Sequence, residues 1–432
     1  GGDGGDDAGP SSTAPGQPST DTGDEPARTD ADDPDDAAPG DDATDAGSTG
    51  GADDTGDATD GDATDADNAD NTDDTVAAGD RGTGGTVATA LEALADTEGN
   101  RRWSVVIDYD AAASLVAVDR PVGADDATAR PFFEAIGDRT RLLVPTALGP
   151  FGPEVFRVEA WRAEVGYALV DSRWDAYGGR PPEQVQVSRI DLSVEDVVAA
   201  VRADPVWSAD LVEEEVDGLT YFAWGDPMLP VIERVSPPRP LGRGGLLHVG
   251  SDGLAVRAID PATMDAALAT VAGTATPLGA DGRFRAVADA LDDRGVYSAV
   301  LTDQPVLTVP LPGPASPDEV REAFEAAAPD GAPRTLPWQV LGMGQTLDPS
   351  GAPLEVVVFA PFDGIDATAA VEAFTRVIEE GTSAVTGGPF AEQFSVVETS
   401  AEDGVAVIVL AAERPGIVLQ AFQVGDSLLA IG

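Results

Sequence analysis

Val87-Ala88-Thr89-Ala90-Leu91, followed by Trp103-Ser104-Val105-Val106-Ile107, opens the hydrophobic part of the chain, and its pattern decides the architecture. Val87, Ala90, Leu91 and Leu94 recur at helical spacing and mark one helix face, whereas 103–107 is rich in β-branched residues and reads as a strand. Farther along, the same order of events returns. Val287-Ala288-Asp289-Ala290-Leu291 echoes the helix, and Tyr297-Ser298-Ala299-Val300-Leu301 echoes the strand. Arg130-Pro131-Phe132-Phe133-Glu134-Ala135 returns as Arg321-Glu322-Ala323-Phe324-Glu325-Ala326. Pro182 with Val185 and Val187 returns as Pro353 with Val356 and Val358, and Asp217-Gly218-Leu219 as Asp403-Gly404-Val405. Leu246-Leu247-His248-Val249-Gly250 returns as Leu428-Leu429-Ala430-Ile431-Gly432. Such ordered recurrence predicts an α+β fold built of two diverged tandem copies, 86–275 and 284–432, the first carrying an extra strand and helix at 254–272. Phe133 and Phe324 are then expected to face inward from equivalent helices. The strands holding Val249 and Ile431 should also correspond, and a groove is expected where the two copies pack together.

Local signals fill in the rest. Residues 155–170 alternate, with Val155, Arg157, Glu159 and Trp161 on one parity, and read as extended. Ser193 is a natural N-cap for a helix through Val194, Val197, Val198 and Val201. Residues 219–224 and 246–249 read as strands. Asp252-Gly253 is a hairpin turn leading into 254–259, and Pro261 opens a helix ending near Gly273.

Ahead of this body, residues 1–85 are Asp, Gly, Ala, Thr, Pro and Ser, with 25 acidic residues against Arg28 and Arg81 and no aromatic before Trp103. So little apolar surface and so much like charge cannot offset the entropy of ordering the chain, so a disordered acidic tether is expected. Three copies of Asp-Ala-Thr-Asp (42–45, 57–60, 62–65) lack the fixed glycine and terminal Glu of a helix-loop-helix calcium site. Over all 432 residues, 78 acidic side chains face 25 basic ones, for a formal charge of −53. Every basic residue is arginine; lysine and cysteine are absent. This balance suits a protein kept soluble in concentrated salt, where screening over a few ångströms removes self-repulsion, with high-GC codon usage as the other source of the arginines. It opposes nucleic-acid phosphates and electrostatic attachment to anionic lipid. No run of 18 apolar residues is present to span a bilayer as a helix.

Chemistry is sparse. One histidine, His248, lies within the apolar run 246–249, where alternation turns it toward solvent or a helix, and most nucleophile-activating pairs are unavailable. Zinc sites with several His or Cys ligands are excluded, and Gly242-Arg243-Gly244-Gly245 runs into a strand rather than a helix, so it is not a phosphate cradle. No catalytic residue, cofactor or metal site is assigned. Asp108 and Asp110, at the end of the first strand, are the nearest approach to paired-carboxylate chemistry. Aromatic groups occur at Trp161, Tyr167, Trp174 and Tyr177 and at Trp207, Tyr221, Phe222 and Trp224. Either could serve in core packing, and the first group is the candidate ligand-binding set if exposed.

The helix before 103–108, the strand–helix passage 184–201 and the stretch 281–303 together resemble uncharacterised surface lipoproteins of high-GC bacteria and haloarchaea, including those with the domain of unknown function DUF3352. The resemblance implies a lipid anchor on a cysteine preceding Gly1 and an extracellular, cell-surface location, and it implies no activity. The expected function is therefore a non-enzymatic envelope protein that binds a small ligand or envelope component or serves structurally. The alternative is a secreted hydrolase using paired carboxylates. If salt adaptation shaped the composition, the melting temperature will rise by several degrees between about 0.05 and about 2 M NaCl as the screening length shrinks; a flat profile by differential scanning fluorimetry would leave codon usage as the explanation.

Overall fold

Val356-Val357-Val358 and the run from Val405 to Leu410 are apolar at every position, so strands built from them need cover on both faces. The computed structural model provides it. Residues 85–140, 142, 156–239, 241–304, 333–426, 428 and 429 are described. The acidic segment 1–84, Arg321, Phe324 and 430–432 lie outside them.

The order of elements is α1 (Thr86–Ala93), α2 (Glu98–Arg102), β1 (Ser104–Asp108), α3 (Tyr109–Leu115), α4 (Asp126–Arg139), α5 (Val158–Val165), β2 (Ser172–Gly178), β3 (Val185–Ile190), α6 (Val194–Arg202), β4 (Leu211–Val216), β5 (Leu219–Trp224), β6 (Gly245–Val249), β7 (Leu254–Ala258), α7 (Pro261–Val271), α8 (Gly282–Asp292), β8 (Ser298–Thr302), β9 (Trp338–Leu347), β10 (Pro353–Pro361), α9 (Ala367–Glu380), β11 (Phe394–Glu402), β12 (Val405–Ala412) and α10 (Ile417–Gln423). The fold is α+β. All 12 strands join one antiparallel sheet in the order β11-β12-β10-β9-β8-β1-β2-β3-β7-β6-β5-β4. One face, through Val106, Val187, Leu301, Val356 and Val407, packs on α1, α7 and α8. The other, through Ile107, Tyr177, Leu341, Val357 and Ile408, packs on α3, α4, α5, α6, α9 and α10.

Glycine lets α8 sit close to the sheet. A Cβ at Gly342 of β9 would lie 2.6 Å from a Val287 methyl, and one at Gly344 would lie 2.7 Å from Val296. The sheet's ends are guarded differently. Edge strand β4 carries Glu213, Glu214 and Glu215 in a row, and edge strand β11 is broken by a register shift between Val396 and Glu398; both devices discourage edge-to-edge pairing.

Several expectations change. The alternation of 155–170 conceals a helix, α5, whose Val158, Trp161 and Val165 are buried at helical spacing. In the paired strands β1 and β8, Val105 lies opposite Val300, and Ala299 faces the other side of the sheet, so the echo of 103–107 in 297–301 is out by one residue. Leu246 and Leu247 are in β6, whereas Leu428 and Leu429 form a buried turn after α10, so that echo pairs different elements. Residues 254–272 form β7 and α7, a strand and a helix as expected. Phe133 is buried on α4 as expected, with Arg130 stacked on Phe156. Where a groove was expected between 86–275 and 284–432, the described strands join in one sheet, unbroken through β1 and β8.

At the start of α1, two amides with no carbonyl of their own helix to bond find an internal anion. The Asp292 carboxylate accepts from Val87 N and Ala88 N, each at 2.9 Å, and Thr86 Oγ1 donates to Asp108 Oδ2 at 2.5 Å. Burial nevertheless pushes the Asp292 carboxyl up to about 6, with the Asp289 and Asp108 charges adding to the rise. A folded pKa above the unfolded value of about 3.9 means that the folded state binds the extra proton. Asp292 therefore contributes stability that grows as pH falls from about 6 to about 4, on the order of 2 kcal/mol. In urea titrations across that range, Asp292→Asn will flatten the pH profile; an unchanged slope would show that Asp292 titrates alike in both states.

Candidate functional site

On β2 the polar parity is Asp175 and Tyr177, and on β3 it is Gln186 and Ser188, while Ala176, Val185 and Val187 take the opposite face. Register sets Tyr177, Gln186 and Arg257 abreast on β2, β3 and β7, with Asp175, Ser188 and Ala255 in the next row. This face is covered by α5, so its polar groups must satisfy one another. Asp175 Oδ2 accepts from Tyr109 Oη (3.0 Å), Tyr177 Oη (3.1 Å) and Gln186 Nε2 (3.3 Å). Gln186 Nε2 also donates to Ser188 Oγ at 3.1 Å, which receives Tyr167 Oη at 3.4 Å. Arg257 Nη1 donates to Gln186 Oε1 at 3.2 Å and lies 5.3 Å from the Trp161 ring centre.

Burial pushes the Asp175 carboxyl up, against the hydrogen bonds from Tyr109 and Tyr177 that hold it down. Burial, reinforced by the Asp175 charge, raises the Tyr109 and Tyr177 hydroxyls well above the ordinary phenol range, and burial takes Tyr167 to about 12. The phenols thus act as neutral donors at physiological pH.

Of the expected aromatic set, Trp161, Tyr167 and Tyr177 come together around this network. All three are buried, and Trp174 packs on the opposite face of the sheet. No exposed aromatic platform results. Asp175, Gln186, Ser188 and Arg257 escaped the sequence reading because a polar parity in a strand ordinarily signals solvent.

Comparison with protein-family models, curated proteins and solved structures finds no match to this chain. The site's meaning must come from its own chemistry.

A second polar cluster adjoins the first. Arg239 Nη1 lies 2.5 Å from Glu164 Oε2, its Nη2 lies 2.8 Å from Asp204 Oδ2, and Ser236 Oγ donates to Glu164 at 2.6 Å. The guanidinium is 5.1 Å from the Trp224 ring centre and 5.8 Å from that of Trp207. Burial lowers the Arg239 pKa and raises that of Glu164, each opposed by its partner's charge. His248, on β6, is also buried; its Nδ1 lies 2.7 Å from Thr220 O, and it faces the α7 side, as Tyr221 and Val256 opposite it do. Asp108 caps α3 through Ala111 N, and Asp110 pairs with Arg120. Among the described residues no group of three or more His, Asp or Glu is arranged to hold a metal ion.

Open space lies at the two ends of β3. A cleft of about 470 Å³ at its C-terminal end is lined by Arg173, Arg189, Asp191, Ser193, Glu195 and Asp252, with Arg173 paired to Asp191 at 2.5 Å and Arg189 to Asp252 at 3.1 Å. A smaller one of about 250 Å³, at the N-terminal end, is walled by Thr97, Asn100, Glu183, Val185 and Thr263. Neither reaches the Asp175 network through its lining residues. Arg239→Ala will leave Glu164 and Asp204 buried without their cation and cost about 3 kcal/mol or more in urea unfolding; a loss under about 1 kcal/mol would show that water replaces the guanidinium.

Proposed function

We propose that this protein is a non-enzymatic, salt-adapted component of the cell surface. Its folded body is held away from a lipid-anchored end by the acidic N-terminal segment, and it binds an envelope component or small ligand. One observation carries this reading: the densest chemistry in the body is sealed. Asp175, Tyr109, Tyr177, Gln186 and Arg257 are each less than 8% exposed and bond to one another. The acidic excess and the absence of lysine support a salt-rich exterior. A Gly-rich polar segment of about 85 residues that behaved as a random coil would span roughly 50 Å, enough to lift a body clear of a membrane.

We further infer that the body comprises two diverged copies of one unit fused through a common sheet. Outward from the β1–β8 pair, the strands run β1-β2-β3 on one side and β8-β9-β10 on the other, each set closing on a hairpin, β4–β5 or β11–β12. The β6–β7 hairpin is inserted on one side alone. Matching Val105 to Val300 also matches Gly178 to Gly344, Val185 to Val356 and Val187 to Val358, and keeps each pair on one face. Both outer hairpins turn on Asp-Gly with left-handed backbone, φ 53° and 80° at Asp217 and Gly218, 50° and 81° at Asp403 and Gly404. α6 and α9 occupy the same place in the connection, between the third strand and the hairpin.

The paired-carboxylate alternative draws on Asp108 and Asp292, both raised by burial and each close enough to the α1 N-terminus to share its hydrogen bonds. Those bonds are capping bonds, which favours the non-enzymatic reading. Mass spectrometry of the N-terminal peptide of protein extracted from native membranes tests the anchor. A diacylglyceryl-modified cysteine ahead of Gly1 is expected; an unmodified N-terminus in the soluble fraction would overturn the anchored reading.

A further inference from the structure

Ten large apolar side chains stand exposed among the described residues, and five of them fall in one excursion between β5 and β6: Met228, Leu229, Ile232, Val235 and Leu241, each between 47% and 70% exposed. Such crowding at one place is a mark of an interaction surface. The excursion is a built platform. Gly244 N donates to Asp226 O, Val231 N to Leu241 O, and Ser236 and Arg239 exchange backbone hydrogen bonds in both directions. Gly242 has φ 59°, and a Cβ there would stand 1.9 Å from Val231 O, so the turn closes only on glycine. From within, Arg239 ties the excursion to α5 and to the end of α6 through Glu164 and Asp204. The aromatic residues beneath it, Trp207 and Trp224, are buried against Arg239 and Arg234 and do not reach the surface.

Charge says what this platform can meet. Within 226–244 the acidic residues are Asp226 and Glu233, against Arg234, Arg243 and the inward-facing Arg239, in a chain where acids outnumber bases 78 to 25. The chain's threefold excess of acids over bases is therefore not carried into the excursion itself. In concentrated salt the screening length is about 3 Å, so only charges at the contact itself count. A second copy of the chain would bring the neighbouring Glu213, Glu214 and Glu215 of two edge strands together, a like-charge contact that a lipid surface does not impose. The exposed side chains are all aliphatic or thioether and carry no directional hydrogen-bonding group, which suits a fluid apolar phase.

We infer that the 226–244 excursion is a membrane-contacting loop that seats Met228, Leu229, Ile232, Val235 and Leu241 in the interfacial region of an anionic bilayer. The inference rests on the reading of a body held at a membrane, yet the two fail separately: the chain without any lipid anchor tests the loop, and the N-terminal mass tests the anchor. The experiment is flotation of the full chain with phosphatidylglycerol vesicles in about 2 M NaCl. Wild type will co-float, and the Leu229→Asp, Ile232→Asp double variant will lose at least tenfold in bound fraction. Val385→Asp, at an equally exposed valine elsewhere, will bind as wild type. Circular dichroism of each variant checks that the body remains folded. The inference falls if wild type stays unbound, if the double variant floats as well as wild type, or if Val385→Asp loses as much. It falls too if sedimentation shows a dimer that the double variant dissolves while no vesicles are bound, which would make a second copy the occupant.

Discussion

Everything in the body hangs on the pairing of β1 with β8. Four residue pairs, from Ser104 with Leu301 to Ile107 with Ser298, convert two sheets into one and put Val105 and Val300 on the same face. Without that seam, two inner strands would each present an unpaired edge in the apolar centre of the molecule, where an unsatisfied amide or carbonyl is expensive. With it, α1 and α8 are drawn side by side across the seam, Asp292 of α8 reaches the first amides of α1, and among the described strands the sheet ends at β4 and β11, both modified against further pairing.

Arginine has an internal part to play in a chain that has no lysine. Arg239 bridges two buried carboxylates, Arg257 lies between Gln186 and the Trp161 ring, and Arg162 forks onto Asp171 with two hydrogen bonds of 2.7 Å. A planar guanidinium can satisfy several acceptors and stack on an aromatic ring at once, which an ammonium cannot. Arg239 and Arg162 thus sit where acids are withdrawn from water, while others such as Arg102, Arg173 and Arg202 pair with carboxylates at the surface. Buried ion pairs of this kind are costly to break and add little over an apolar core, so their value here lies more in fixing how α5, α6 and the excursion before β6 meet than in raw stability.

The sequence was most legible where one residue dictates a local geometry. Ser193 caps α6, Pro261 opens α7, and Asp252-Gly253 turns the β6–β7 hairpin, each through chemistry confined to a few neighbouring atoms. It was least legible where the answer depends on what covers a strand. Asp175 and Tyr177 have the parity of a solvent face and are buried because α5 lies over them. Residues 155–170 alternate by composition, yet Val158–Val165 fold into a helix because Trp161 and Val165 have a core to enter. The recurrence of 103–107 at 297–301 was visible, but with small apolar residues throughout, a shift of one costs nothing in sequence similarity while it reverses every side chain in space. Three of the four expected aromatics do meet, around a carboxyl rather than a ligand, and no pattern in the chain distinguishes those two destinations.

The seam also has a history within each molecule's own lifetime. Val105 leaves the ribosome 195 residues before Val300, its partner. Throughout that interval β1 can pair on one side with β2 while its other edge waits, so the N-terminal half of the body exists for a time as an open sheet. Closure of so long a loop is slow, and a waiting strand edge is what nascent chains aggregate through. Added salt would sharpen the hazard by screening the charges that keep two such chains apart. The α1 helix, finished before β1 emerges, is positioned to shield that strand's apolar face until α8 and β8 arrive.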